Sequence, residues 1–474
     1  MGSVCVSVVL SLSLAAVHFA PAAWAASAGE WRSRTIYQVV TDRFAPSDCW
    51  GTPCSNLNGY CGGTWEGMAK RLPHITGMGF DAVWISPVML QGGDAFGTAG
   101  YHGYWPADLY SINPAFGSEQ QLQALMQKCH NSVVYVMFDM VINHMGYGNA
   151  QFFHPFNASS DFHDCNGCHG PYCDIDPAGI FAGPAAAHSS EHCKLSGLPD
   201  LNHSNPSVLS RMQHMFNHTM AAYSPDGLRL DAAGHSDTSF CAALTASVGN
   251  STFTVVELFL VDNISLSMGA VADFVKAGGA SSAFSFPMAV ALSKVLREYN
   301  KHDMLWLAKR RAEHLQLMGP HVQHMLTLIE NHDLPRWLHA NYTLRYMNAL
   351  TYVLFTEGIP VIYYGTEEGD AAQCLQDRGS FVIVLTDWGE SGPQQPGQGS
   401  VVTLQGPLPV RFRGQVLRNI YNPEFELHVS AGGVGLYTAD PQGAPQVFYL
   451  GHVAAPSSFF IPEDKVRRAR ACSP

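Results

Sequence analysis

The amino-acid sequence predicts an α/β fold. The expected architecture is a (β/α)8 barrel of the TIM type, with an inserted domain after its third strand and a small C-terminal β domain. Three observations predict it. Eight short β-rich apolar runs alternate with helical stretches between residues 36 and 364. A segment rich in Gly, His, Cys and Pro, residues 145–204, interrupts the alternation after the third run. Helical patterning stops near residue 372, and only strand-like runs follow. Strands alternating with helices build a parallel sheet, and eight of them suit a closed barrel. An open doubly wound sheet is the competing arrangement.

The strand runs are Ile36–Val40, Ala82–Ile85, Val133–Val141, Leu228–Asp231, Phe253–Leu258, Ala283–Phe286, Met325–Ile329 and Ile359–Tyr364. Helical stretches cover Trp65–Ile75, Ser118–Cys129, Pro206–Tyr223, Met288–Leu317 and Leu344–Thr356. Ser118 before Glu119, and Asn205-Pro206, are helix-start signals. The barrel therefore takes residues 26–144 and 205–371, and the insertion 145–204. Beyond it, Phe381–Leu385, Val401–Leu404, Val434–Tyr437 and Gln446–Leu450 read as strands of a β domain over 372–474, expected to be truncated. Only residues 366–379 separate Gly365 from the next strand-like run, and Gly369, Asp370 and Gly379 punctuate them. That is too little chain for a barrel helix and a linker, so the eighth helix is expected to be missing. Neighbours of Leu354, Phe355, Ile359, Val361 and Ile362, and the outer side of the first strand near Ile36, would then lose their cover.

Composition sets the class. The chain has 474 residues, 47% hydrophobic, 11% aromatic and 14% charged, which excludes disorder, collagen and coiled coil. A net charge of −12 repels phosphate backbones, so no nucleic-acid partner is expected. A neutral ligand remains open. Residues 1–25 carry no Asp, Glu, Lys or Arg, Val4–Ala16 is apolar, and Ala23-Trp24-Ala25 fits a small-x-small cleavage site. These residues read as a signal peptide; the alternative, an uncleaved anchor, is too short to span comfortably. No later stretch approaches the ~20 apolar residues of a membrane helix. A secreted product without a membrane partner is expected, and a monomer.

The cysteines agree with export. Of 12, Cys5 would leave with the signal, and the odd remainder leaves a thiol free or intermolecular. Cys54/Cys61 and Cys173/Cys193 are plausible disulfides. Cys165-Asn-Gly-Cys168-His169, with His163 nearby, also admits a zinc site; in a secreted chain disulfides are favoured. Sequons begin at Asn157, Asn202, Asn217, Asn250, Asn263 and Asn341.

Polar residues collect where the strands end. Asp139, Asn143 and His144 follow the third strand, Arg229 and Asp231 end the fourth, Glu257 ends the fifth, and Glu330, His332 and Asp333 end the seventh. In a barrel this face holds the active site. One such carboxylate alone is more often a cap or an ion-pair partner. Three on separate strands converge, and like charges in one place are costly unless function needs them. Three carboxylates in an aromatic, His-lined site fit glycoside hydrolysis, which uses one carboxyl as acid and one as base or nucleophile. Arg229 beside Asp231 would keep it ionised. Glu257, after the apolar Thr254-Val255-Val256, would have a raised pKa and stay protonated.

The segments Asp139-Met-Val-Ile-Asn-His144, Gly227-Leu-Arg-Leu-Asp231, Val256-Glu257 and Glu330-Asn-His-Asp333 resemble the four motifs of the α-amylase family (glycoside hydrolase family 13). Flanking text is similar to the fungal type: Trp31-Arg-Ser, Val40-Thr-Asp-Arg-Phe44, Cys61-Gly-Gly-Thr-Trp65, Gly77-Met-Gly-Phe80, Tyr101-His-Gly-Tyr-Trp105 and Gly358-Ile-Pro360. The resemblance spans residues 31–370 in order. It implies Asp231 as nucleophile, Glu257 as acid/base and Asp333 as transition-state stabiliser. It implies a sugar site lined by His102, Tyr104, Trp105, His144, Arg229, His235, His332 and Arg336. The implied substrate is starch, glycogen or a malto-oligosaccharide, cut at internal α-1,4 links.

The resemblance also implies a structural Ca2+ between insertion and barrel. Matching ligands are Asn143, Asn202, Glu191 and His235, the last two through backbone carbonyls, all hard oxygens. The sequence departs from the fungal pattern at Asn202, where that pattern has aspartate; asparagine removes a charge and should weaken binding. Pro-Asp-Leu-Asn202 also occurs in the family's α-glucosidase branch. Gly234 stands where a lysine that binds sugar on the leaving-group side is usual. An exo-acting α-glucosidase or transglycosylase, and a non-catalytic carbohydrate-binding relative, are the competing functions.

Overall fold

The structure is a computed structural model. It describes residues 25–48, 54–176, 184–249, 251–261, 263–298, 302–337 and 343–369, and six short strands beyond residue 380. The expected signal peptide, the sequons at Asn250 and Asn341, and residues 370–380 lie outside the described residues.

Ten strands precede residue 370: β1 Ile36–Val39, β2 Ala82–Ile85, β3 Met89–Gln91, β4 Pro106–Ile112, β5 Tyr135–Val141, β6 Gly227–Asp231, β7 Phe253–Val256, β8 Ser282–Ala283, β9 Leu326–Thr327 and β10 Ile359–Tyr363. Eight of them form one sheet in the order β8-β7-β6-β5-β2-β1-β10-β9. Every pairing in it is parallel. A parallel bridge between Phe284 and Leu326 joins the two ends, and the Ser285 N–H donates to the Leu326 carbonyl at 2.8 Å. The sheet is thus a barrel rather than a doubly wound layer. β3 and β4 form a separate antiparallel pair after β2, which the alternation of runs had not indicated.

Side-chain alternation along the strands divides the core in two. Ile36, Ala82, Trp84, Met137, Phe253, Val255, Phe284 and Val361 belong to one buried cluster, inside the barrel. Their strand neighbours Tyr37, Val83, Phe138, Leu228, Leu230, Val256 and Ile362 belong to the other, under the helices. Trp31, on the short helix Ala28–Trp31, closes the floor; it is fully buried and stacks on Phe253 at 5.4 Å.

The helices Trp65–Gly77, Glu119–Asn131, Pro206–Tyr223 and Thr343–Phe355 lie where the periodicity puts them. Ser118 and Gln121 form a reciprocal capping box, and Asn205 caps the helix that begins at Pro206. The long stretch expected over Met288–Leu317 is instead divided. Phe286–Leu292 runs into a π turn, Ser293–Arg297, and a new helix, Met304–Met318, starts where the Asp303 carboxylate accepts the Trp306 N–H at 2.7 Å. Two helices escaped the sequence reading, Thr238–Ser247 and Ile264–Lys276. Thr238–Ser247 carries small and apolar residues nearly all round, which blurs the 3.6-residue period; Ile264–Lys276 is amphipathic and was overlooked.

In the insertion, the described residues form 3-10 turns at Ala150–Phe152, Ser159–Asp161 and Leu195–Gly197 and a helix, Pro184–His192. Cys54–Cys61 is bonded as expected. Cys173–Cys193 is not: the bridges are Cys165–Cys173 and Cys168–Cys193. The reason is local. His169 and Asp174 exchange backbone hydrogen bonds of 2.8 and 3.0 Å, folding this segment into a hairpin that faces Cys165 to Cys173. Cys193, just past the helix, then meets Cys168. With both Cys165 and Cys168 oxidised, the zinc alternative has lost its thiolates.

After β10 the described chain makes only a 3-10 turn, Thr366–Gly369. The expected loss of cover is not seen on the outer face, where Tyr37, Leu354, Phe355 and Ile362 are all buried. On the outer side of β1, Tyr37 packs against Phe44 and Phe80, with its hydroxyl on Glu367 at 2.6 Å. Glu367 also meets His74 at 3.3 Å, so this turn ties β1 to the first long helix. Six strands follow: β11 Phe381–Val384, β12 Val401–Leu404, β13 Val416–Asn419, β14 Glu426–Val429, β15 Gly435–Thr438 and β16 Gln446–Tyr449. They form one antiparallel sheet, ordered β11-β16-β13-β14-β15-β12. β13 and β14 were not anticipated.

Candidate active site

Strand register assembles the centre of the site. Asp139 on β5 pairs directly with Arg229 on β6, and Val141 with Asp231. Arg229 alternates with Leu228 and Leu230, which face the helices, so its side chain points inward, where it is completely buried. Its Nη1 donates to both Asp139 oxygens at 2.8 and 2.9 Å and to Asp231 Oδ1 at 2.6 Å. Its Nη2 lies 2.9 Å from Glu257 Oε1. One guanidinium therefore serves three carboxylates from three strands. Asp139 is further held by the Trp84 Nε1–H and the Tyr104 hydroxyl, each at 2.9 Å. A buried cation so surrounded is fixed in place as well as in charge.

Asp333 completes the carboxylate group and shares a hydrogen bond with Glu257. His332 lies beside it, its Nε2 at 3.2 Å from Asp333 Oδ2. The Gln38 amide stands 2.8 Å from His332 Nδ1. The Gln38 NH2 can only donate, which places the imidazole proton on Nε2, towards Asp333.

Electrostatics depart from the expected assignment. Burial pushes Asp231 well above the usual carboxylate range, opposed by Arg229 and reinforced by Glu257 and Asp139. Burial and the Glu257 charge raise Asp333 to about 7. Glu257 moves the other way: burial opposes its charge, but Arg229 and the Ala232 N–H outweigh it and hold it below the ordinary glutamate range. The reading of Glu257 as the carboxyl with the raised pKa is corrected here. Arg229 is not reserved for Asp231, and the Ala232 N–H donates to Glu257 Oε2 at 3.0 Å. Asp333 and Glu257 share a hydrogen bond, and in this pair it is Asp333 whose hold on a proton is raised.

The histidines are neutral donors and acceptors. Burial lowers His102 and His144 to about 4 and His332 to about 3. His144 Nε2 lies 3.1 Å from the Tyr104 carbonyl, and its buried Nδ1 has no partner. His102 Nδ1 accepts the Tyr104 N–H at 3.0 Å. Gly103 between them has φ +95°, and a Cβ there would meet Pro87 at 2.8 Å; only glycine lets the loop double back to set these two rings side by side. Tyr104 stacks on His332 at 4.9 Å.

A cavity of about 1130 Å³ opens above the carboxylates. His102, Tyr104, Trp105, His144, Asp231, His235, Glu257, His332 and Asp333 all line it. Arg229 lies beneath it, and Arg336 stands behind the wall. Arg336 donates to Glu330 at 3.2 Å and to the Tyr364 carbonyl at 2.6 Å, and its guanidinium lies 3.9 Å from the Tyr363 ring centre. The sequence reading missed Tyr147, Phe259, Tyr363 and Tyr364 among the lining residues. It also missed the part Asp139 plays in anchoring Arg229, although its position at a strand end was the available signal.

The segments expected to bind calcium meet one another. The Asn143 carbonyl accepts the Leu201 N–H at 2.9 Å, and the Ser236 hydroxyl donates to Asn143 Oδ1 at 3.2 Å. His235 Nδ1 lies 3.1 Å from the carbonyl of Ser190, next to Glu191. The donors so gathered are amide and carbonyl oxygens, which fit calcium in kind. Among the described residues no three His, Cys, Asp or Glu side chains are grouped to hold a metal. The charge beside this set is Asp200, which accepts from Asn143 at 2.9 Å and sits 2.7 Å from His163.

Comparison with known proteins gives one consistent result. The family description "Alpha amylase, catalytic domain" matches residues 38–383. Alpha-amylase 2 of Schizosaccharomyces pombe is 32% identical over 384 residues, covering 74% of this chain and 59% of that protein. The alpha-amylase of Saccharomycopsis fibuligera is 31% identical, covering 72% of this chain and 67% of that one. An alpha-amylase from Malbranchea cinnamomea has a similar structure: TM-score 0.76, 27% identity, 90% of this chain and 97% of that one. The chain spans somewhat under two thirds of the length of the first curated relatives it matches.

Proposed function

This chain belongs to the α-amylase family, and on that footing we propose that it is an endo-acting α-amylase that cleaves internal α-1,4 links of starch-like glucans with retention of configuration. The observation that carries the reading is the group of Asp231, Glu257 and Asp333 around one buried Arg229 at the foot of a large open cavity.

Asp231 attacks the anomeric carbon, and Arg229, 2.6 Å from its Oδ1, orients the carboxylate for the attack. Glu257 delivers the proton to the leaving oxygen and later takes one from water. The proton it needs is already in the site, on Asp333. Asp333 passes that proton to Glu257 along their shared hydrogen bond before the entering sugar parts the two carboxyls, and any proton on Asp231 leaves to solvent through the open cavity, so that Asp231 faces the sugar ionised beside Arg229. Asp333 and the neutral His102, His144 and His332 bind the sugar hydroxyls, and Tyr104 gives the ring a face. Trp105 and His235 extend the contact along the wall. Arg336 acts as a positioning residue that holds Tyr363 and Tyr364.

A Ca2+ ion held by Asn143, Asn202 and the carbonyls of Glu191 and His235 would clamp the insertion to the barrel; its contribution is structural. A Cβ at Gly234 meets nothing closer than 3.5 Å, so glycine is not forced there, and no cationic side chain from that position reaches the leaving group. Product lengths should therefore differ from those of relatives with lysine. Secretion is part of the same reading. It is supported by the Cys54–Cys61, Cys165–Cys173 and Cys168–Cys193 disulfides among the described residues.

Proton NMR of early products from soluble starch tests the mechanism. The α-anomer must appear first, with mixed product lengths; an initial β-anomer excludes double displacement. Release of glucose alone from chain ends would favour the exo-acting alternative.

A further inference from the structure

We infer that Phe96 and Tyr147 form an outer sugar-stacking subsite, at the rim of the cavity, which grips long glucans and leaves short ones untouched. The inference rests on the proposed glucan hydrolysis and names a specificity element for it.

A continuous line of rings runs outward from the carboxylates. His332 stacks on Tyr104, which lies parallel to His102 at 5.8 Å. His102 meets Trp105 edge-on at 4.6 Å, and Trp105 meets Tyr147 at 4.9 Å. Tyr147 then meets Phe96 at 5.2 Å, the two ring planes standing 89° apart. Every ring up to Tyr147 lines the cavity; Phe96 does not. The chain of aromatic faces thus continues past the mouth of the site by one more residue.

Phe96 is costly to place there. It is 89% exposed, and its backbone has φ +52°. It forms the first corner of a two-residue turn, Phe96-Gly97, closed by two 2.9 Å hydrogen bonds between Ala95 and Thr98. Such turns favour Asn or Gly at that corner, and a bulky aromatic residue is an outlier in the left-handed region. An exposed, strained aromatic ring gains the fold nothing, which is the pattern of a residue kept for a ligand. Its support is firm: the Tyr147 hydroxyl donates to the Ser196 carbonyl at 2.6 Å, fixing the ring across the insertion. Two rings at right angles present a corner, one face below a sugar and one edge beside it. An uncharged, hydroxyl-flanked pyranose face is the ligand chemistry that such a corner suits, as sugar C–H groups pack on aromatic faces.

Steady-state kinetics of Phe96→Ala on soluble starch and on maltotetraose test this. The expected result is a KM for starch raised about three- to ten-fold with kcat unchanged, the size of a lost aromatic contact, and unchanged kinetics on maltotetraose. Phe96→Trp should restore the starch KM. An unchanged starch KM, or equal losses on both substrates, overturns the inference. A second readout is independent of turnover: binding of a long maltodextrin by the Asp231→Asn variant, with and without Phe96→Ala. Equal affinities sink the subsite. Failure of the wild-type chain to cleave or bind any glucan removes the functional reading beneath it, and that is seen before any variant is made.

Discussion

The carboxylate layer of the barrel and the insertion above it both bury polar groups, but they hold them differently. In the barrel, parallel register does the positioning: Asp139 stands opposite Arg229 because β5 and β6 pair there. Every donor is then shared, and four carboxylates crowd one guanidinium and one proton. In the insertion no ladder exists among the described residues beyond isolated bridges. Its shape comes from two disulfides, from Arg211 on the Asp161 carboxylate, and from Asn143 and His163 on Asp200. The barrel layer crowds like charges together on a rigid frame; the insertion buries its charges in separate pairs on a frame made of cross-links. Changes in the first should alter chemistry without unfolding, and changes in the second should alter stability first.

The largest expected effect breaks the first half of that statement if it is wrong. Asp231→Asn and Glu257→Gln should each lower starch hydrolysis by several powers of ten. The melting temperature of Asp231→Asn should hold or rise, because the change removes a carboxylate that burial and like charges destabilise. Initial rates and thermal melting check it. A parallel loss of activity and stability would mean that the carboxylates hold the fold together.

The second prediction addresses the insertion. Replacing Cys168 and Cys193 by serine opens a bridge with a sequence separation of 25. The loop-entropy account puts the loss at roughly 3 kcal/mol. Melting should fall markedly, while activity at room temperature persists once the loop is seated. Differential scanning fluorimetry and starch assays at two temperatures check this. Loss of activity without a change in melting would reverse the contrast drawn between the two regions.

The same contrast explains what the sequence revealed. Asp231, Glu257 and Asp333 were legible because each follows a short apolar run, and strand ends in a barrel share one face. The barrel was legible because eight such runs alternate with capped helices. Glu257 was misread electrostatically because its environment was taken from its own strand; Arg229 and the Ala232 N–H come from the next one, and register is invisible in a linear pattern. Arg336 is four residues past His332, yet it faces Tyr363 and Glu330, since the turn after β9 swings it behind the wall. Disulfide pairing in the insertion depends on a hairpin between His169 and Asp174 that has no periodicity to betray it. The helix at Thr238–Ser247 lacked the polar face that marks an amphipathic pattern.

Proton inventory gives a third, smaller effect, confined to the barrel layer. Asp333 is raised to about 7, so the folded state holds its proton where an unfolded chain would have lost it. Its stabilising contribution is complete in acid and fades as pH rises through 7. Activity should fall over the same interval, since the proton destined for Glu257 is lost. His102, His144 and His332 are depressed to about 3–4, so their contribution is complete above the ordinary histidine range and is lost as pH falls through 4. The pH–rate profile should therefore be bell-shaped with an alkaline limb near 7. A rate that stays flat to pH 9 would mean that Glu257 takes its proton from another source.

The smallest effect lies at the seam between the two regions. Asn202 follows Asp200 by two residues, and Asp200 is a buried carboxylate that burial has raised to about 7. Asn202→Asp adds a second negative charge close to the first. Without calcium the two repel, and melting should drop by a few degrees. With calcium bound, the new carboxylate becomes a charged ligand, and the ion stabilises the native state by linkage. A ten-fold tighter site is worth about 1.4 kcal/mol at saturating metal. The substitution should therefore change sign: destabilising in chelator, stabilising in calcium, relative to the parent chain under the same conditions. Melting curves of both proteins, with chelator and with millimolar calcium, read this directly. Parallel shifts in both buffers would mean that no cation sits beside residue 202. The insertion would then be held to the barrel by direct contacts such as Asn143 on Asp200, Arg211 on Asp161 and His235 on the Ser190 carbonyl.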